Sequence, residues 1–115
     1  MVEIKTIPND AKVSLVKYSP PFSAVCSIGQ APFNGIAEIE YWPREVLLEF
    51  ESFEEWLRYK AAEKTTIEGF CRLVFDTLQE VVGPGTFLSV CIKAATIVHA
   101  QVEVLIESPM EEKES

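Results

Sequence analysis

Gly35-Ile36-Ala37-Glu38-Ile39-Glu40-Tyr41 alternates without interruption. Ala37, Ile39 and Tyr41 fall on one side of an extended chain and Glu38 and Glu40 on the other, because successive strand side chains point to opposite faces. After Trp42-Pro43-Arg44, the run Glu45-Val46-Leu47-Leu48-Glu49-Phe50-Glu51 repeats the pattern, with Val46, Leu48 and Phe50 together. Two alternating runs joined by a short connector predict an antiparallel hairpin with one wet face.

Towards the C-terminus the period changes from two to that of a helix. Ser52-Phe53-Glu54-Glu55 fits a capping box, and Phe53, Trp56 and Leu57 share a face, so a helix is expected to about Ala62. Thr65-Thr66-Ile67-Glu68 reads as a second capping box. The helix it opens carries Phe70, Leu73, Val74, Leu78, Val81 and Val82 on an apolar stripe and ends at Gly83-Pro84-Gly85. Two further strands follow, Thr86 to Ala94 and Thr96 to Glu107. Leu88, Val90 and Ile92 oppose Ser89, Cys91 and Lys93 in the first. Val98, Ala100, Val102, Val104 and Ile106 oppose His99, Gln101 and Glu103 in the second. The order strand, strand, helix, helix, strand, strand (ββααββ) predicts an α+β fold, a four-stranded antiparallel sheet with both helices on one face. Such a sheet has two edges rich in Val, Ile and Leu. Edge strands need a partner, so the sheets of several copies are expected to join into a barrel, making a homo-oligomer.

Towards the N-terminus, Ala11 to Tyr18 reads as a short edge strand, with Val13 and Leu15 on one side, and Ser19-Pro20-Pro21 ends it. Residues 1–10 carry little pattern. Phe22 to Asn34 reads as a loop holding Cys26 among small and turn-forming residues. One domain is expected over residues 1–107, with an N-terminal extension and active-site loop over 1–34, followed by an acidic disordered tail over 108–115.

The 115 residues carry a net charge of −8, which opposes nucleic-acid binding, since its affinity comes largely from Lys and Arg at phosphates. Arg58, Lys60, Lys64 and Arg72 form the one basic cluster, either a solvated face or a contact for RNA phosphates. No apolar run has membrane length and the first residues lack a signal-peptide layout, so a cytoplasmic protein with no membrane partner is expected. Three cysteines without a CxxC pair, and a single histidine, predict neither a disulfide framework nor a metal site.

Cys26, with Gln30 and Pro32 after it, the hairpin Glu40-Tyr41-Trp42-Pro43, and Glu68 at the head of the second helix form an ordered set. The set and the ββααββ order resemble the tunnelling-fold enzymes of purines and pterins. Within them it is similar to the 7-cyano-7-deazaguanine reductases and the shorter QueF-like archaeosine synthases, over residues 22–107. The resemblance implies that Cys26 attacks the nitrile carbon of 7-cyano-7-deazaguanine to form a thioimide. It implies too that Glu68 accepts two N–H bonds from the guanine-like edge. In the reductases NADPH then reduces the thioimide. In the short synthases ammonia displaces the cysteine to give the amidine of archaeosine in tRNA.

The chain departs from that pattern at three places. Phe33 stands where the family has a proton-delivering aspartate, with Asn34 next. Ile67 stands where a histidine often precedes the glutamate. The start of the first helix, Glu51-Ser52-Phe53-Glu54-Glu55, is acidic where NADPH phosphates would need cations, and the reductases' longer C-terminal extension is missing. The expectation is therefore an amidinotransferase without a cofactor. Cys26 and Asn34 are its catalytic candidates, and Glu68, Phe33 and His99 its substrate-binding candidates. The alternatives are an NADPH-dependent reductase, a pterin-type activity, and a purine- or pterin-binding oligomer without turnover. At the level of single residues, Cys26 also reads as a structural loop thiol, Glu68 as a cap, and His99 as a solvent- or tunnel-facing side chain.

Overall fold

A computed structural model of the chain describes residues 3–25, 32–63, 65–95 and 100–108. Its elements are β1 (Thr6–Pro8), β2 (Val16–Tyr18), β3 (Pro21–Val25), β4 (Pro32–Tyr41), β5 (Val46–Leu48), α1 (Phe50–Ala61), α2 (Ile67–Val82), β6 (Leu88–Ala95) and β7 (Gln101–Glu107). The main sheet is antiparallel, and β4 is its pivot. One edge of β4 pairs with β6, which pairs in turn with β7. The other edge pairs with β2 and β3 one after the other.

β2 and β3 keep one register along β4, Val16 against Tyr41 and Pro21 against Ile36. They amount to a single edge strand interrupted at Ser19-Pro20. Proline has no N–H to give the ladder, but its carbonyl still accepts one: Ala37 N donates to Pro20 O at 2.9 Å. Counting that interrupted strand once, the sheet is four strands wide and the order is ββααββ, an α+β fold as expected.

The first hairpin, however, is not the expected one. β4 pairs back onto β3, not forward onto Val46–Leu48. The physical reason is occupancy: near Tyr41, β2 holds one edge of β4 and β6 the other. The chain after Pro43 therefore has no edge to join. It forms a separate two-stranded ribbon with β1, Ile7 opposite Leu47, in a segment that showed little pattern. The ribbon is moored to the sheet by Leu48 N, which donates to the buried Tyr41 hydroxyl at 2.9 Å. Phe22 to Val25 and Pro32 to Asn34, expected as loop, are strand. Leu15 lies outside β2 and is exposed, while Val16 and Tyr18 pack on the core.

Both helices cover the same face of the main sheet. The alternation of β4 and β6 puts Ala37, Ile39 and Tyr41, and Leu88, Val90 and Ile92, into one cluster with Phe53, Trp56 and Leu57 of α1 and Phe70, Val74 and Leu78 of α2. Burying each of the Val, Leu, Ile and Phe side chains among them contributes about 1.5–3 kcal/mol. The helix starts differ from the expected capping boxes. α1 begins earlier because the Glu49 side chain caps it, accepting from Ser52 N at 2.8 Å and Glu51 N at 3.1 Å. Ser52 instead ties the N-terminal segment to the helix, accepting from Lys5 N at 2.9 Å. α2 is capped by Thr66, which accepts from Gly69 N at 2.9 Å. Glycine thus occupies the place where a capping box needs its glutamate. Gly83, at φ 109°, ends α2 in a backbone region that glycine adopts freely.

At the far end of β7, Ser108 is part of the hydrogen-bonded structure. Its backbone N donates to Leu88 O at 2.8 Å, and its hydroxyl accepts from Leu88 N at 3.0 Å. The acidic residues 109–115 lie outside the described residues.

Candidate active site

The register brings several of the expected residues to one end of the sheet. Val25, the last residue of β3, pairs with Pro32, the first of β4, and Cys26 belongs to the segment between them. Ala95, the last residue of β6, pairs with Gln101, the first of β7, and His99 belongs to that connection. Cys26 and His99 themselves lie outside the described residues. Just inside this end, Ser23, Asn34, Ala95 and Gln101 form one row across four strands. Phe22, Gly35, Ala94 and Val102 form the next.

The first turn of α2 lies over the same end. Phe70 packs on Phe22, ring centroids 4.9 Å apart, and from there α2 runs to Gln79, whose amide donates to Thr86 O at 3.1 Å near the opposite end. Glu68 is the second residue of this helix and is exposed. Among the described residues its carboxylate makes no hydrogen bond or ion pair, because Thr66 does the capping. An exposed carboxylate in the first turn of a helix sits in the favourable field of the helix N-terminus. It is chemically able to accept a pair of N–H donors from a planar ligand.

Phe33 and Asn34 are neighbours in β4 and therefore face opposite sides of the sheet. Phe33 is 6% exposed and packs edge to face on Phe22 among the core side chains. Asn34 projects from the other face, where its Oδ1 accepts from the Ser23 hydroxyl at 2.7 Å. The fold thus brings Asn34 to the end that carries Glu68 but to the opposite face of the sheet. Ser23 was not a candidate in the sequence. It becomes one only when residues 26–31 are read as the connection of a hairpin, which sets Ser23 opposite Asn34. A groove of about 710 Å³ opens beside these residues, lined by Pro21, Phe22, Ser23, Asn34, Gly35, Glu54 and Arg58.

The two cysteines among the described residues are poor nucleophiles. Cys71 is fully buried under α2, its thiol directed at the Val90 and Val104 carbonyls, both at 3.5 Å, and burial pushes its pKa up. Cys91 is half-buried on the face away from the helices, and burial, with Glu103 and Glu38 nearby, pushes its pKa up as well. A nucleophilic thiol needs the reverse shift. Of the basic cluster, Arg72 is paired with Asp76 at 3.0 Å and Lys60 with Glu63 at 3.7 Å. Lys64 lies outside the described residues.

No family model matches the sequence, and no curated protein does. Among solved structures, the chain is similar to that of the archaeosine synthase QueF-like in its apo form, at a TM-score of 0.75 and 25% identity. The likeness covers 83% of this chain and 93% of that one. The chain shares the tunnelling fold of that QueF-like protein. The order of its main-sheet elements and the placing of both helices on one face are those of a tunnelling fold. No helix among the described residues is long and apolar enough to cross a membrane.

Proposed function

We propose that the chain carries out 7-deazaguanine nitrile chemistry in tRNA modification, as an amidinotransferase in which Cys26 is the nucleophile and Glu68 anchors the base. The observation that carries this reading is the likeness to the archaeosine synthase QueF-like over most of both chains. The convergence of the β3–β4 connection and the α2 first turn on one end of the sheet supports it. In the proposed reaction the Cys26 sulfur adds to the nitrile carbon. A C–S bond forms, one carbon–nitrogen π bond opens, and the nitrogen takes a proton, giving a thioimide. Ammonia then adds to that carbon and the C–S bond breaks, which returns the thiol and leaves an amidine. No redox cofactor is needed, and the acidic start of α1, with Glu49, Glu51, Glu54 and Glu55 around one groove, disfavours binding of NADPH phosphates. Phe33 cannot deliver the proton, and Asn34 can donate a hydrogen bond but not shuttle one, so the proton comes from water. The free sheet edges, β2 with β3 on one side and β7 on the other, are proposed to join copies of the chain into a barrel.

The test is turnover. RNA carrying the nitrile base, incubated with the chain and an ammonia donor, should gain the mass of one ammonia at that base, and Cys26→Ala should abolish the gain. Consumption of NADPH instead would move the chain to the reductases.

The buried Phe33 favours one second reading, a tunnelling-fold protein that binds the base without turnover. It predicts binding of the base with no amidine formed under any ammonia donor.

A further inference from the structure

We infer that the apolar groove between the β1–β5 ribbon and β2 seats the β7 edge of a second copy of the chain, through its row Val102, Val104 and Ile106. This deepens one part of the proposed function, since it rests on the free sheet edges joining copies. The groove holds about 470 Å³ and is lined chiefly by Ile7, Val13, Val16, Leu47 and Phe50. Ile7 and Phe50 are each 46% exposed on it, and large apolar side chains gathered around one groove mark an interaction surface. Val16 belongs to β2, so the groove borders a free edge of the main sheet.

The direction of the backbone groups names the occupant. Pro20 O accepts from Ala37 N at 2.9 Å, and bonded pairs alternate along an antiparallel ladder. Val16 and Tyr18 therefore bond inward to β4, and Lys17 offers its N–H and carbonyl to the free edge. At the other side of the sheet, Ser108 N donates to Leu88 O at 2.8 Å. Val102, Val104 and Ile106 then bond inward to β6, while Glu103, Leu105 and Glu107 offer their backbone groups outward. Neighbours across a ladder share a face. Bonding of Lys17 to any of those three thus sets the Val16–Tyr18 face, and the groove with it, beside the row of β7. That row is only half-buried in a single copy. Charge favours this unlike pairing. The wet face carries Lys17 at the β2 edge, and Glu103 and Glu107 at the β7 edge. Two β7 edges joined about Leu105 would oppose Glu103 to Glu107, and two β2 edges joined about Lys17 would oppose that residue to itself. Like charges directly opposite destabilise a sheet. Of the groove's two carboxylates, that of Glu49 is held at Ser52 N and Glu51 N as the cap of α1.

The test is sedimentation velocity of the full chain over a concentration series, which reads assembly without any nitrile present. The unaltered chain should associate. Leu105→Pro removes an N–H from the free edge and none from the β6 ladder, so it should dissociate the assembly while the chain stays folded. Ile7→Asp and Phe50→Asp should each raise the concentration of half-assembly by about tenfold or more, with circular dichroism unchanged because both side chains are exposed. Tyr59→Asp alters a side chain 48% exposed on α1 but outside the groove, and should assemble as the unaltered chain does. Assembly that survives Ile7→Asp and Phe50→Asp but not Leu105→Pro would overturn the role of the groove and leave the joined edges standing. A monomeric unaltered chain, or assembly indifferent to Leu105→Pro, would overturn both.

Discussion

Phe33 meets Phe22 edge to face, with ring centroids 6.0 Å apart and planes at 86°. Phe22 in turn packs on Phe70 at 4.9 Å, so three aromatic rings join β4, β3 and α2 at the end of the sheet where the candidate site lies. Contacts of this kind contribute about 0.5–1.5 kcal/mol each beyond the area they bury. Phe33, at the position where the resemblance implies an acid, is thus a packing element that helps hold the strands flanking Cys26.

Phe33→Asp should not restore an acid to the site. The carboxylate would be buried among aromatic rings without a partner, at a cost of about 3 kcal/mol or more. Chemical denaturation should show that loss, and the rate of nitrile addition should not rise.

Gly35→Ala tests the same junction from the other side. A Cβ at Gly35 would sit 2.4 Å from the Lys93 carbonyl oxygen and 2.8 Å from the Phe22 ring. The first contact is with backbone and cannot relax cheaply, so a destabilisation of about 1–3 kcal/mol is expected. Hydrogen exchange should show the loss of protection concentrated in β3 and the start of β4.

Glu68 and Thr66 separate ligand binding from capping. Thr66→Ala should lower stability by about 1 kcal/mol and leave affinity for the base little changed. Glu68→Gln should leave stability nearly unaltered but weaken base binding by about a hundredfold, the loss expected for a pair of charge-assisted hydrogen bonds. Calorimetry of unfolding and of base binding on the two variants reads both.

Acid should loosen α1 before the core. The N–H groups of Ser52, and secondarily Glu51, hold the Glu49 carboxyl below the ordinary carboxylate range. A folded-state pKa below the unfolded value means that the cap's contribution is present above the unfolded value. It is lost as pH falls through the depressed one. Helical content followed during acid titration should fall over that window in the unaltered chain, and Glu49→Gln should remove that part of the pH dependence.

Much of this fold was legible in the sequence. The strict alternation of residues 35–41 and 88–94 names their buried faces, and the stripe from Phe70 to Val82 and its Gly83 stop set α2. The first hairpin was not legible, because pairing depends on which edges of β4 are already filled. Val46–Leu48 alternates as well as a sheet strand should, yet has no edge to join. The helix caps lie three residues and one residue from the expected ones because Glu49 and Thr66 compete with Ser52 and Thr65 for the same orphan N–H groups. Of the candidate site, the meeting of the strand ends beside Cys26 with the head of α2 follows from topology. The opposed faces of Phe33 and Asn34 follow from strand parity, once residues 32–34 are recognised as strand rather than loop. Ser23 carried no signal in one dimension and Arg58 only that of the basic cluster, since the β3–β4 register and the packing of α1 are what bring the two to one groove.

Cys26 is proposed as a nucleophile for a nitrile on a deazaguanine. The direct test is the intact mass of the chain after incubation with 7-cyano-7-deazaguanine, for the unaltered sequence and for Cys26→Ala. A single adduct with the mass of the base is expected on the unaltered chain and none on Cys26→Ala, since burial pushes up the pKa of both Cys71 and Cys91. An unmodified mass, or an adduct that survives Cys26→Ala, would contradict it.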